Sequence, residues 1–323
     1  MFKQYPLKDV SDDVLAKIGQ GVLNTYHIDN LCDIDRKNAL SNEIKDLLEF
    51  NEGNDSESLA KVRTRRQLPN SITDEMLMPT IFEFENGVLL LAHVCRNEAD
   101  ETLIEIFSDQ VLDLVLLKTV VPILNQAFSW AVAKYISVWT KPDTQAEKQL
   151  FELSGSIGCD SFLAANQKQL VLTSNSELTL RAFDLEIDWP WYEKEYTHFL
   201  TQNPKMKDSV PISSKDEVQE AISDSLCVCA LKDGNVIGMI MAEESSELGY
   251  NGLMFTDIFI GEHYRGQGYA SPMQRLFIKE HFNKYQFFCG FINKENLPSL
   301  NNAIKQGRQR LRQEICIPVH HFI

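Results

Sequence analysis

The sequence is short of the residues that break or loosen a chain: 15 Gly and 11 Pro in 323 residues. That excludes collagen-like and low-complexity classes, and an apolar share of 44% excludes wholesale disorder. Positive charge is scarce too. Lys and Arg number 31 against 46 Asp and Glu, a formal charge of −15. Such a chain repels phosphate backbones and anionic lipid surfaces, so neither nucleic acid nor a membrane is an expected partner. A long uncharged apolar run is also missing. The most hydrophobic stretch, 111–139, is interrupted by Asp113, Lys118, Pro122, Asn125, Gln126 and Lys134. A membrane span needs about 20 nearly uncharged residues, so this stretch reads as core helix. The first residues, Met1 to Pro6 followed by Asp9, Asp12 and Asp13, lack an apolar signal core. The expected location is cytoplasmic, which for a secreted bacterial effector would be a host's cytosol.

Cysteine lacks the even count and regular spacing of a disulfide framework. The seven stand at 32, 95, 159, 227, 229, 289 and 316, several in apolar runs. Free thiols packed as small hydrophobes fit this pattern. Cys227 and Cys229 would share one face of a strand, yet no second pair stands at zinc-ligand spacing, so no metal is expected.

The length fits two domains. Apolar spacing predicts helices over 11–26, capped by Ser11, and over 39–50, then a polar acidic loop at 51–58. Lys61, Arg63, Arg65 and Arg66 form the only dense basic run, either a solvated helix face or an anion site. Strands follow at 80–85, 87–96 and 102–107, the first two joined by Asn86-Gly87, a tight-hairpin signal. Then come the apolar helix, a strand at 135–139, a helix at 143–153 and a hairpin from 160–165 and 169–173. Thr173-Ser174-Asn175-Ser176 is a polar connection, which places the boundary between domains 1–176 and 177–323. The second half opens with a strand at 178–183 and a helix begun by Asp188 and Pro190. A short helix at 214–222, hairpin strands at 226–231 and 236–242 around Asp233-Gly234, and a strand at 253–260 follow.

The strongest signal is Arg265-Gly266-Gln267-Gly268-Tyr269-Ala270, after a strand and before an apolar helix running to about residue 282. Two glycines let the backbone fold tightly and approach a ligand closely. Orphan N–H groups at a helix start, with the helix dipole, make an anion site suited to a pyrophosphate, and Arg265 would add charge at its rim. No Gly-Lys-Ser/Thr follows, which excludes a nucleoside-triphosphate loop, and the preceding strands form a meander rather than a dinucleotide fold.

From Ile258 to Ala270 these residues resemble the acetyl-CoA motif of the GNAT superfamily of N-acetyltransferases, a hydrophobic strand, a turn, then Arg/Gln-x-x-Gly-x-Gly/Ala. The resemblance extends over about 177–323. It implies a mixed α/β fold with a mostly antiparallel sheet, flanking helices and a splayed fourth and fifth strand. It also implies acetyl-CoA as co-substrate. Ile258, Phe259 and Ile260 would line the pantetheine arm, with backbone groups of Ile258 and Ile260 pairing it. Arg265, Gly266, Gln267, Gly268, Tyr269 and Ala270 would hold the pyrophosphate, and Asn296 and Ser299 the other wall.

Acyl transfer to an amine needs a base and donors for the developing oxyanion, and often an acid for the thiolate. Asp257 on the fourth strand, or Glu243 and Glu244 ending the third, are the base candidates. The helix position that is Tyr in many relatives is Ala303 here, which leaves Tyr264, Tyr285, water or nothing as the acid. Trp189, Trp191, Tyr192 and Tyr196 are either core or acceptor-pocket residues. Glu243, Glu244, Glu247 and Glu262 would favour a cationic acceptor such as a small amine or a lysine of a basic protein or peptide. The element order of 1–176 repeats that of the second half, but its counterpart loop, 108–113, has no Gly and two acids. This predicts two GNAT-like domains, the first a degenerate copy. The expected function is acetyl transfer from acetyl-CoA to an amine; the alternative is an acetyl-CoA-binding pseudoenzyme that recruits partners.

Overall fold

The computed structural model describes residues 2–52, 56–66, 68–69, 71–97, 100–173, 176–207 and 210–323. Ser174 and Asn175 of the expected interdomain connection lie outside this set, as do residues 53–55 of the expected acidic loop. The chain forms two compact units, neither of them one continuous segment. The first comprises Met1–Ile28, Ile34–Cys159 and Arg312–Ile323; the second comprises Asp29–Asp33 and Asp160–Leu311.

The first half of the chain supplies β1 (Phe2–Pro6), α1 (Asp12–Asn24), α2 (Arg36–Glu52), α3 (Ser56–Arg66), α4 (Asp74–Leu77), β2 (Thr80–Phe84), β3 (Leu89–Arg96), β4 (Thr102–Ser108), α5 (Leu114–Ala127), β5 (Tyr135–Thr140), α6 (Gln145–Phe151) and β6 (Ile157–Asn166). The second half supplies β7 (Thr179–Ala182), α7 (Trp189–Gln202), α8 (Lys215–Ser223), β8 (Cys227–Lys232), β9 (Asn235–Ser245), β10 (Gly252–Ile260), α9 (Ala270–His281), β11 (Phe287–Asn293), α10 (Leu297–Lys305) and β12 (Gln309–Pro318). Apart from α3 and α4, the two halves run through the same order: strand, two helices, three strands, helix, strand, helix, strand.

Local chemistry explains most element ends. Ser11 accepts from the Val14 N–H at the start of α1, and Ser214 with Glu217 forms a capping box on α8. Asp188 does not cap α7; its carboxylate is gripped by both Nη atoms of Arg181, at 2.7 and 2.8 Å, and accepts from the Asp184 N–H. In the basic run on α3, Arg63 pairs with Asp74 at 2.6 Å. That fits the solvated-face alternative for this residue.

In the first unit the strands lie in the order β1-β2-β3-β4-β5-β12, and in the second β6-β11-β10-β9-β8-β7. The β4–β5 and β10–β11 pairs are parallel, and the other neighbours within each unit are antiparallel. Each half thus ends in a strand that completes the sheet of the other unit: β6 pairs with β11, and β12 with β5. This differs from contiguous domains meeting near residue 176. It also replaces the expected hairpin of 160–165 and 169–173. Residues after β6 turn into a 3-10 capping box, and the Val171 N–H donates to the Gln306 carbonyl at 2.9 Å. A parallel strand such as β5 or β11 has one open edge, and an antiparallel terminal strand satisfies it from any part of the chain.

The first core packs Phe82, Ile104, Ile106, Ile136, Val138 and Ile315 against Leu117, Val121 and Leu124 of α5. The second unit buries both sheet faces. Ile240, Leu253, Phe255 and Phe288 meet Met273, Phe277 and Ile278 of α9 on one side. Met239, Met241, Phe259, Cys227 and Cys229 meet α7 and α8 on the other. The two cysteines are therefore core residues, as their apolar setting implied. Among the described residues no helix is long and apolar enough to cross a membrane.

The strand exchange has a direct consequence. A fragment 177–323 lacks β6 and leaves the β11 edge open, so it should be aggregated or poorly folded by circular dichroism and size-exclusion chromatography. Co-expression with 1–176 should restore a soluble complex. A monomeric, cooperatively folded 177–323 would contradict the exchange.

Candidate functional site

The site begins where two parallel strands stop pairing. β10 and β11 share three register pairs, Gly252↔Phe287, Leu253↔Phe288 and Met254↔Cys289, and then separate. On its other edge β10 stays paired with β9, but its register slips: Phe255 faces Ala242 and Asp257 faces Met241, which leaves Thr256 as the extra residue of a bulge. The bulge re-aims the strand immediately beyond the separation. Past it, Ile258, Phe259 and Ile260 present a backbone edge that β11 does not fill.

Asp257 sits at this bulge. Tyr192 of α7 donates its hydroxyl to Asp257 Oδ2 at 2.5 Å, and the Ser213 N–H donates to the same hydroxyl at 3.3 Å. Burial pushes the Asp257 carboxyl up to about 6, against the opposing pull of the Tyr192 hydroxyl and the Ile258 N–H. The residue remains partly exposed, so a ligand can reach it. Tyr192 itself is fully buried and its phenol is pushed up, by burial first and by the Asp257 charge second.

The other candidate acids separate by strand alternation. Glu243 shares the α7–α8 face with Asp257 and is exposed; burial and then the charges of Glu220 and Glu217 raise it. Glu244 points to the other face, where it accepts from Lys284 at 2.9 Å and Tyr285 at 2.6 Å and is lowered by both. It is tied up in surface pairing rather than facing Asp257. The backbone N–H of Glu262 donates to Glu195 Oε2 at 2.9 Å, and its carboxylate pairs with His198 at 2.9 Å. Tyr264 packs, half-buried, with Ile258 and Ile260 in the α9-side cluster, on the opposite face from Asp257.

After β10 a 3-10 turn leads into the glycine loop. Gly266 has φ +74° and Gly268 φ +84°, the left-handed region, and a Cβ at either would point into open space. Among the described residues, the N–H groups of Gly266, Gln267, Gly268, Tyr269, Ala270 and Ser271 have no backbone acceptor outside the loop's own turns. Pro272 then enters the first turn of α9, where a missing N–H costs nothing. Lys232 donates to the Tyr269 hydroxyl and lies 4.8 Å from its ring centre, which brings a cation to the loop that sequence spacing does not reveal.

Arg265 behaves differently from the expected rim charge. Its N–H is spent on the Glu262 carbonyl, and its Nε donates to the Ile260 carbonyl at 2.7 Å. The guanidinium lies 4.6 Å from the Phe199 ring centre and 4.8 Å from that of Phe259. It braces the loop from beneath, because stacking on two aromatic rings offsets part of its desolvation. Asn296 and Ser299 stand at the start of α10, where Asn296 Oδ1 accepts from the Ser299 N–H at 3.3 Å. Ala303 is fully buried, so the position that is Tyr in relatives faces the interior here. Trp189, Tyr192 and Tyr196 are core residues, and only the Tyr192 hydroxyl reaches the site.

Residues 186–303, from the approach to α7 to within α10, match the family model described as "Acetyltransferase (GNAT) family". Over this stretch the chain is similar to that family. In fold the chain is similar to a GCN5-related N-acetyltransferase from Sphaerobacter thermophilus, at TM-score 0.54 and 12% identity, with 98% of this chain and 94% of that one covered. It is also similar to a GCN5-related glucosamine N-acetyltransferase region of a fungal multi-domain GH3 β-N-acetylglucosaminidase, at TM-score 0.52 and 10% identity. There 98% of this chain and 38% of that one are covered. These likenesses concern the fold alone and cover nearly the whole chain. No curated protein matches the chain by sequence.

The first unit has the GNAT element order without the glycine loop. Asp109 Oδ1 accepts from the Leu89 N–H at 2.9 Å, Ser108 Oγ accepts from the Gln110 N–H, and Asp113 caps α5 through the Leu116 N–H at 2.8 Å. Ser108 and Asp113 thus engage N–H groups of the corner between β4 and α5.

The Asp257–Tyr192 contact is testable by titration. Tyr192→Phe removes a hydrogen bond that favours the carboxylate, so the Asp257 carbon resonance should titrate above pH 6. An unchanged or lower value would contradict the contact. Because the folded carboxyl holds its proton longer than the unfolded one, this group's contribution to stability falls as pH rises from about 4 to about 6. Asp257→Asn should flatten that part of the stability curve in chemical denaturation.

Proposed function

We propose that the chain is an N-acetyltransferase that moves an acetyl group from acetyl-CoA to a cationic amine, with the second unit as the working domain. The observation that carries this is the loop from Gly266 to Ser271 at the start of α9, with Gly266 and Gly268 in the left-handed region, one loop beyond the raised carboxyl of Asp257. Such a loop and a helix N-terminus suit a diphosphate. Lys232 adds positive charge beside them. The unfilled edge of β10 suits an extended pantetheine arm, although the Ile260 carbonyl already accepts from Arg265 and the Ile258 N–H is drawn to Asp257.

Acetyl-CoA would supply the acetyl group as a thioester. Asp257, ionised above about pH 6, takes a proton from the acceptor amine, so that a neutral nitrogen attacks the thioester carbon, the carbon–sulfur bond breaks, and coenzyme A leaves as a thiolate that takes its proton from water. Tyr192 holds the carboxylate in place during that step. Glu243, with Glu217 and Glu220 nearby on the same side, gives that side a negative field that favours a small cationic amine or a lysine of a basic protein or peptide. A cytoplasmic setting, with no nucleic-acid or membrane partner, agrees with the acidic surface.

The first unit, lacking the glycine loop and with its loop donors internally satisfied, is proposed as a degenerate GNAT-like domain that does not bind acetyl-CoA. One observation favours a second reading, an acetyl-CoA-binding pseudoenzyme that serves as an interaction module. Ala303 leaves no tyrosine to protonate the departing thiolate, and the Tyr285 hydroxyl is engaged with Glu244.

Calorimetry with coenzyme A and thiol release with a panel of amines separate these readings. Gly268→Val forces a branched side chain into a left-handed backbone and should weaken coenzyme A binding at least about tenfold. Asp257→Asn should leave that binding intact and lower kcat about 10²–10⁴-fold. In the unaltered protein kcat/KM should rise through about pH 6 and then level off. Tight coenzyme A binding with no thiol release above background would select the interaction module. No binding at all would sink both readings.

A further inference from the structure

The first unit carries a second set of reactive groups, on the sheet face opposite α5. Ile104, Ile106, Ile136, Val138, Ile315 and Ile317 point into the α5 core. Alternation therefore sends Glu105, Ser137, Glu314 and Cys316 to the other face. The register His93↔Glu105, Glu105↔Ser137 and Ser137↔Cys316 lays four of these polar groups in one row across β3, β4, β5 and β12. At the end of the row the Cys159 and Cys316 sulfurs stand 2.8 Å apart, although 157 positions separate them in sequence. Glu314 Oε1 lies 3.9 Å from the Cys316 sulfur and accepts the Ser137 hydroxyl at 2.5 Å. One ligand atom from each of Cys159, Glu314 and Cys316 falls within 4.8 Å of the other two.

We propose that Cys159, Cys316 and Glu314 bind a thiophilic divalent cation of the zinc type. Two thiolates and a carboxylate are a zinc donor set, and soft sulfur ligands select against calcium and magnesium. With Zn–S near 2.3 Å in a tetrahedral site, the two sulfurs would sit about 3.7 Å apart, so loading opens the pair by about 1 Å. Both thiols give up their protons to solvent as the metal–sulfur bonds form. Cys159 is half-buried and supplies the way in, whereas Cys316 is fully buried. The Ser137 hydroxyl orients the Glu314 carboxylate, as outer-shell donors do around metal ligands. The fourth position falls to water. The neighbouring trio of His93, Cys95 and Glu105 is less suited to a cation. There Trp139 donates to Glu105 at 2.9 Å, and the positive charge of Arg312 bears on the same carboxylate. The zinc-type site does not depend on acetyl transfer in the second unit.

Full-length protein, reduced and then dialysed against zinc, should retain about one zinc per chain by elemental analysis. Its melting temperature should rise by about 5 °C at saturating zinc. Cobalt should give a thiolate-to-metal charge-transfer band. Cys159→Ser and Cys316→Ser should each lower zinc affinity at least about 100-fold, and Ser137→Ala about tenfold through the loosened carboxylate. Should Cys316→Ser fail to fold by circular dichroism, the half-exposed Cys159→Ser carries the test. Reduced protein that holds no zinc and gives no cobalt band would overturn the proposal. So would equal affinity in Cys159→Ser. A Cys159–Cys316 disulfide in peptide maps, with no zinc bound after reduction, would assign the pair to redox chemistry instead.

Discussion

Three residue pairs decide the architecture of the second unit. β10 and β11 run parallel from Gly252↔Phe287 to Met254↔Cys289 and then part. Backbone groups cannot remain unpaired in an interior, so everything beyond the parting must either find another partner or meet a ligand. Part of it finds other partners. The bulge at Thr256 turns Asp257 toward Tyr192, Arg265 reaches back to the Ile260 carbonyl, and the remaining edge stays available. The glycine loop then continues the same logic around the corner, where the donors of a helix start have no carbonyl to meet.

The position of Asp257 follows from this geometry. A carboxylate on an ordinary paired strand would be either in the core or in water. The bulge holds it between the two, under the α7 aromatic cluster yet still reachable. Its raised pKa is the energetic signature of that compromise: burial disfavours the charge, and one phenol and one N–H keep it from being prohibitive. Tyr192 thereby belongs to the core by packing and to the site by its hydroxyl, which is why aromatic content on α7 could not by itself distinguish the two roles.

What could be read from the sequence was whatever leaves a local trace. Gly266 and Gly268 announce a left-handed backbone, Asn86-Gly87 and Asp233-Gly234 announce hairpins, and apolar spacing announces α1, α5 and α9. The repeated element order was legible for the same reason. The exchange of β6 and β12 was not, because an apolar terminal strand carries the same pattern whichever sheet it joins. The fate of Arg265 was hidden as well, since a charge beside a glycine loop points outward or inward according to which rings lie beneath it. The Cys159, Glu314 and Cys316 cluster was beyond reach of any spacing rule, as strands far apart in sequence bring it together. Attention to Cys227 and Cys229, two residues apart, led only to core packing.

The two halves show how one scaffold is put to different use by a few side chains. In the second, Gly266 and Gly268 take up a left-handed backbone ahead of Pro272 and the start of α9. In the first, Ser108, Asp109 and Asp113 accept from the neighbouring backbone and close the equivalent corner. An acidic side chain that satisfies such donors also places negative charge where a phosphate would have to sit, so the loss is doubled: donors are occupied and the field is reversed. The sheet itself is unaffected by the change, because its strands are held by ladders and by the α5 core. The opposite sheet face carries the polar groups of β3, β4, β5 and β12 without disturbing that core.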